Sequence, residues 1–305
     1  SAIRLCCGNG TGKGPLLYQM AFCHRLVQEK PLWCTELILR KTNMIKDSLN
    51  IIKVGGAIVE NEESLQSLLM SFSSLKGRKI LVHGGGKIAT EVAARLGVET
   101  QMIDGRRITS AEMLKVVTMV YGGLVNKNLV ARLQALGVNA IGLTGADLNL
   151  IMSVKRPVQP INFGYVGDIK YVNAKALENL LESGAVPVLA PLTHDKEGSM
   201  LNTNADTIAS SVAQALASVY DVTLTYCSST PGVMKDLSDP LSVIPTITSS
   251  DFAPMVADGT ISEGMIPKLQ NAFEAINSGV SRVVITSASA LNAGTTIMAD
   301  PETDD

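Results

Sequence analysis

Short apolar runs that close on glycine recur along this chain. Ile51-Ile52-Lys53-Val54 runs into Gly55-Gly56, and Ile80-Leu81-Val82-His83 runs into Gly84-Gly85-Gly86. A stretch with apolar spacing near 3.6 follows each, over 62–75 and 88–96, so each reads as a buried strand, a glycine turn and a helix. Residues 139–144, 185–192, 221–227 and 282–286 read as further strands. Residues 113–136, 174–183, 207–218 and those from Met265 onward read as helices, the first interrupted by Gly122-Gly123. Between 150 and 172, β-formers mixed with Pro157, Pro160 and Gly164 suggest hairpins. Strands alternating with helices predict an α/β fold with a mostly parallel sheet and right-handed crossovers. In such sheets ligands gather at the carboxyl ends of the strands. Lys53, both glycine turns, Gly145 and residues 228–232 all fall at such ends.

The glycine turns are suited to anions. They permit unusual φ, leave room for close approach, and precede helix N-termini whose N–H groups and dipole favour phosphate or carboxylate. The composition removes competing classes. With 46% hydrophobic residues over 305 positions, the chain can bury one large α/β unit or two smaller ones. A formal net charge of −2 and no long basic run argue against nucleic-acid binding, and no apolar run is long enough for a membrane span. Four of the five cysteines lie in the first 34 residues, which is no disulfide framework and suggests a reducing, cytoplasmic setting. Cys6, Cys7, Cys23, His24 and Cys34 match no familiar zinc spacing, so no metal site is assigned to the protein.

Residues 1–43 differ from the rest and are expected to be a leader outside the fold, with Met44 reading as a start. Gly8 to Gly14 imitates a phosphate loop, but has three residues between Gly8 and Gly12 and Gly14 after Lys13, where four residues and a hydroxyl residue are needed.

Two lysines stand out. Lys53 lies inside an apolar strand, where a charge is costly unless it meets an anion. Lys268 follows Gly264-Met265-Ile266-Pro267 at a helix start, where it opposes the dipole. Two cations aimed at one cleft suit a transferring phosphoryl group. Asp206 begins a helix and reads either as an ordinary cap or as the carboxylate that fixes the lysines. Arg107 could grip a carboxylate through a bidentate fork. His83 reads as a hydrogen-bonded structural residue.

Taken together, 51–56, 82–86, Gly105-Arg106-Arg107-Ile108-Thr109, Asn202-Thr203-Asn204-Ala205-Asp206 and 264–268 resemble the motifs of the acetylglutamate kinases of the amino acid kinase superfamily. The resemblance runs from about Leu49 to Ile297. It implies a three-layer αβα sandwich and ATP-dependent phosphorylation of the γ-carboxylate of an N-acylated glutamate, in arginine biosynthesis. It implies that Lys53 and Lys268 stabilise the transition state and that Asp206 holds both. Gly55 and Gly56 would line the phosphate path, while Gly85, Gly86, Arg107 and Asn202 would meet the substrate. Ser229, Thr230, Pro231, Gly232, Val233 and Met234, with Thr260, Ile261 and Ser262, would hold ATP and its Mg2+. Residues 44–217 would bind the acylglutamate and form a homodimer, residues 218–299 would bind nucleotide, and 300–305 would be a tail.

The chain departs from that pattern in places. Ser228-Ser229-Thr230-Pro231-Gly232 lacks the usual aspartate, and the segments near Asp147 and 155–162 are unusual where the acyl group should be read. Arg106 beside Arg107 leaves open another acyl group such as N-succinyl. A catalytically idle sensor on the same fold is the alternative of another class, and retention of Lys53, Asp206 and Lys268 argues against it. A nucleotide-binding dehydrogenase lacks its glycine fingerprint.

Overall fold

The computed structural model describes residues 46–301 apart from Asp104, Leu237, Pro240, 262–264 and Asn292. The expectations for residues 1–43, Ser262 and Gly264 lie outside the described residues. Residues from Asp47 onward cluster as one unit.

Among the described residues, eight strands form the main sheet. In spatial order they are β12 (Thr246–Thr248), β14 (Thr295–Met298), β13 (Arg282–Ser287), β11 (Asp221–Ser228), β1 (Ser48–Val54), β2 (Arg78–His83), β8 (Val186–Leu189) and β5 (Ala140–Leu143). All neighbours are parallel except β13 and β14. A smaller sheet runs β10 (Met200–Asn202), β9 (Leu192–His194), β6 (Ile151–Lys155) and β7 (Gly167–Val172), and β3 (Gln101–Ile103) pairs with β4 (Arg106–Ile108) as a hairpin. The strand expected at 185–192 is therefore two strands in different sheets. The hairpin expected within 150–172 is β6 with β7.

Helices cover both faces of the main sheet. On one face, Leu68 and Phe72 of α2 (Glu62–Ser74), Ala89 and Ala93 of α3 (Gly86–Arg95), and residues of α4 (Ala111–Val117) and α5 (Asn126–Ala135) share a core with Ile52 and Val54. On the other, α6 (Ala174–Glu182), α7 (Ala205–Leu216) and α9 (Ile266–Asn277) share a core with Leu49 and Ile51. A short helix, α1 (Gly56–Glu60), follows β1, and α8 (Ser249–Ala257) follows β12. This is the expected three-layer sandwich. Gly122-Gly123 does not break its helix. Residues 118–125 widen into a π-helix, and α4 runs through it into α5.

The alternation of β1 decides where its charge goes. Leu49 and Ile51 face the α7 layer, so period two sends Lys53 to the same side. β1 also lies at the point where strand order reverses: the chain moves from β1 to β2 on one side and returns later to β11 on the other. The crevice at such a point is the favoured ligand position of an open α/β sheet. Among the described residues, no helix is long and apolar enough to cross a membrane.

Candidate active site

Lys53, next to last in β1, lies 2.8 Å from Asp206, in a pair whose lysine is mostly buried. Asp206 is not the helix cap. The Asn204 side chain caps α7 by accepting from the N–H groups of Asp206 and Thr207, which leaves the Asp206 carboxylate free for Lys53. Tyr226, beside Lys53 in the neighbouring strand, is kept protonated by burial and by the Asp206 charge. Burial likewise pushes the Cys227 thiol up to about 12, against the pull of Lys53.

The two glycine turns meet backbone to backbone. A Cβ on Gly84 would stand 3.0 Å from the Gly56 nitrogen, and one on Gly56 would stand 3.4 Å from the Gly86 nitrogen. Side chains there would wedge the two helix starts apart. Gly85 adopts φ +150°, and a Cβ on it would press on Val125 and the Tyr121 ring. His83 anchors this turn as expected of a structural residue. It is fully buried, its Nδ1–H donates to the Gly84 carbonyl at 2.8 Å, and its Nε2 accepts from Asn126 at 3.1 Å. Asn126 also donates to the Val188 carbonyl at 2.9 Å, so the network ties the turn to α5 and β8. Burial pushes the His83 pKa down to about 4.

A cavity of about 550 Å³ opens beside the turns. Gly85, Gly86, Arg107 and Asn202, the residues expected to meet the substrate, line it together with Gly56 of the expected phosphate path. Arg107 is buried and heavily engaged. Its Nη2 donates to the Gly86 carbonyl at 2.7 Å and to Thr90 Oγ1 at 2.9 Å, and its Nη1 reaches Thr100 Oγ1 at 3.3 Å and Met113 Sδ at 3.9 Å. The expected fork toward substrate is thus largely taken up by protein. Asn202 donates to Thr109 Oγ1 at 2.9 Å, and Thr109 donates to the Arg107 carbonyl, so the two substrate residues are coupled.

Arg156, Asp168 and Tyr121 also line the cavity and carry no earlier assignment. Arg156 donates to Asp168 through Nε and Nη2, and Tyr121 faces in from the π-helical segment. The arginine and aspartate pair across strands, which local spacing does not show. A tyrosine in a long apolar helix reads as ordinary core.

The segments expected to hold the nucleotide are looser. Lys268 is exposed in the first turn of α9, and among the described residues it makes no ion pair with Asp206 or any other carboxylate. Among the described residues Asp206 therefore pairs with Lys53 and not with Lys268. Ser229 is exposed, and Ser228 Oγ bonds within its own turn to Thr230. Pro231, Gly232 and Met234 continue that turn, with Met234 bridged to Val243. Val233 and Ile261 are buried in the core, so only their backbones could face a nucleotide. Thr260 N–H donates to Asp258. Gly55 caps α1 without a side chain, beside Lys53 Nζ.

The amino acid kinase family matches residues 48–287. The acetylglutamate kinase of Phocaeicola vulgatus is 63% identical over 250 residues, covering 82% of this chain and 97% of its own. That of Methanopyrus kandleri is 40% identical over 250 residues, covering 81% and 98%. A crystal structure from Streptococcus mutans superposes with TM-score 0.68 at 31% identity, covering 83% of this chain and 99% of its own. An N-acetylglutamate synthase from Neisseria gonorrhoeae shares the fold with TM-score 0.69 at 20% identity, covering 90% and 65%. The chain belongs to the amino acid kinase family, and within it to the acetylglutamate kinases.

Proposed function

We propose that this enzyme carries the γ-phosphoryl group of ATP to the γ-carboxylate of N-acetyl-L-glutamate by charge stabilisation alone, without a general base. The reaction gives the acyl phosphate used in arginine biosynthesis. The observation that carries the mechanism is the Lys53–Asp206 pair beside two abutting glycine turns.

A carboxylate is already ionised near neutral pH, its usual pKa being about 4.3. One of its oxygens attacks the γ-phosphorus. The new O–P bond forms as the bond to the β,γ-bridging oxygen breaks, and ADP leaves with that electron pair. Charge spreads over the equatorial oxygens, where fixed donors act best. Lys53 and the N–H groups of Gly56 and Gly86 supply those donors from one side, and Lys268 supplies a cation from the nucleotide side. Asp206 holds Lys53 extended. Arg107 and Asn202 hold the α-carboxylate and amide of the substrate. Residues 229–234, Thr260, Ile261 and Ser262 take the nucleotide. Mg2+ enters with ATP as part of the substrate, since Asp206 is engaged by Lys53. A coupled assay of ADP release with N-acetyl-L-glutamate tests the reading, and no release above background would end it.

A second acyl group has one observation in its favour. Arg106 and Arg156 both line the cavity, and Asp168 neutralises only Arg156. Arg106 is thus placed for a further carboxylate, such as that of N-succinyl-L-glutamate. On that reading kcat/KM favours the succinyl substrate and Arg106→Ala narrows the preference; a parent that prefers the acetyl substrate rejects it.

We also assign a homodimer in the cytoplasm. β5 is the edge strand of the main sheet, and Ile141 on it and Met119 and Leu124 on the helix beside it are exposed. Cys227 is free, which suits reducing surroundings. Sedimentation as a monomer across micromolar concentrations would end the dimer assignment.

A further inference from the structure

Tyr121 is 5% exposed and lines the same cavity as Arg107 and Gly85. It sits within the π-helical segment 118–125. Such segments are uncommon and concentrate at functional sites, because the extra residue per turn re-aims side chains. Here the segment places two groups on opposite tasks. Asn126, just past its end, braces His83 and β8. Tyr121, one π-turn earlier, lays its ring over Gly85, where a Cβ would come within 3.4 Å of the ring.

Arg107 stands beside the phenol. Burial raises the Tyr121 pKa, and the nearby Arg107 charge draws it down. The phenol O–H is a donor on the cavity wall. Both Nη atoms of Arg107 are already engaged by Gly86, Thr90, Thr100 and Met113. A carboxylate with two oxygens arriving at this arginine therefore needs a donor beyond the Nε–H.

We propose that Tyr121 is a substrate-binding residue whose phenol donates to the α-carboxylate of the acylglutamate, sharing it with Arg107. This rests on the acylglutamate kinase reading of the site.

The test uses Tyr121→Phe, which keeps the ring over Gly85. Calorimetric titration of N-acetyl-L-glutamate into parent and variant gives the dissociation constants. Loss of a hydrogen bond to a charged group should raise the constant about tenfold or more. The KM for ATP should move by less than about twofold on the same argument. 4-Acetamidobutanoate keeps the amide and the reacting carboxylate but lacks the α-carboxylate. Its inhibition constant should be the same for parent and variant. An unchanged dissociation constant for N-acetyl-L-glutamate overturns the assignment. Equal weakening of both compounds also overturns it, since the phenol would then act through the glycine turn. A parent that releases no ADP with N-acetyl-L-glutamate overturns the kinase reading and this assignment with it. A parent that turns over, with an unaltered variant, overturns the assignment alone.

Discussion

On the side of the cleft proposed for the acylglutamate, Arg107, Asn202 and His83 already have protein partners. Arg107 is held by Gly86, Thr90 and Thr100, Asn202 by Thr109, and His83 by Asn126 and the Gly84 carbonyl. On the side proposed for the nucleotide, Lys268 is exposed, and the turn after β11 bonds mainly to itself. The difference separates two ways of building one phosphoryl-transfer site. One half is preorganised and sets geometry, as a site must that aligns a weak nucleophile. The other half supplies charge that the arriving nucleotide can order.

The lysines test this contrast most severely. Lys53→Ala and Lys268→Ala should each lower kcat by about 10²–10³, the usual loss of one fixed electrostatic stabiliser. Steady-state kcat with saturating ATP and N-acetyl-L-glutamate checks it, and a Lys268→Ala enzyme within a few-fold of the parent would strip that residue of its role.

His83 gives the next largest effect, on stability. Its folded pKa, about 4, lies below the ordinary 6.5. Between those values the unfolded chain binds the extra proton, so stability is intact above pH 6.5 and declines as pH falls toward 4. The loss is of order 3 kcal/mol. Urea unfolding across pH 4–7 should show a slope that His83→Gln flattens; an unchanged slope would mean that other groups carry it.

Gly85→Ala strains the turn from within. The positive φ and contacts of 3.3–3.5 Å with Val125 and Tyr121 should cost about 1–3 kcal/mol in thermal unfolding. A variant as stable as the parent would mean that the turn can relax.

Arg107→Lys keeps the charge but cannot reach Gly86, Thr90 and Thr100 together. It should raise the KM for acylglutamate about tenfold, well beyond any change for ATP. Equal changes in both would blur the two halves into one. The smallest effect belongs to Ser229→Ala on the looser side. An exposed hydroxyl in a self-bonded turn should shift the KM for ATP by less than about threefold.

Much of the fold is legible in local pattern. β1 and β2 announce themselves because an apolar run meeting glycine has few other uses, and α2 follows its apolar period from Glu62 to Ser74. The cleft is legible because Lys53 is an unexpected charge in such a run. What escapes is set by distant contacts. The π-helical widening depends on what Tyr121 and Asn126 must reach, and glycines in sequence look only like a break. Arg156 and Asp168 meet through the β6–β7 pairing. β12, α8 and β14 carry weak periods, and they are fixed by the sheet edge they complete. The freeing of Asp206 by Asn204 was hidden because both residues are good caps.

The central position of β1 also governs how the enzyme is made. β1 pairs with β2 within a few dozen residues, yet its other edge waits for β11, where Ser48 meets Asp221. At ribosomal rates of about 5–20 residues per second, that partner emerges on the order of ten seconds or more later. Until then the edge that bears Lys53 is an open template in a growing chain. Closure of the main sheet is consequently a late event of synthesis, and a nascent chain stopped before residue 221 holds the cavity residues from Gly56 to Ser211 but leaves one edge of β1 unpaired.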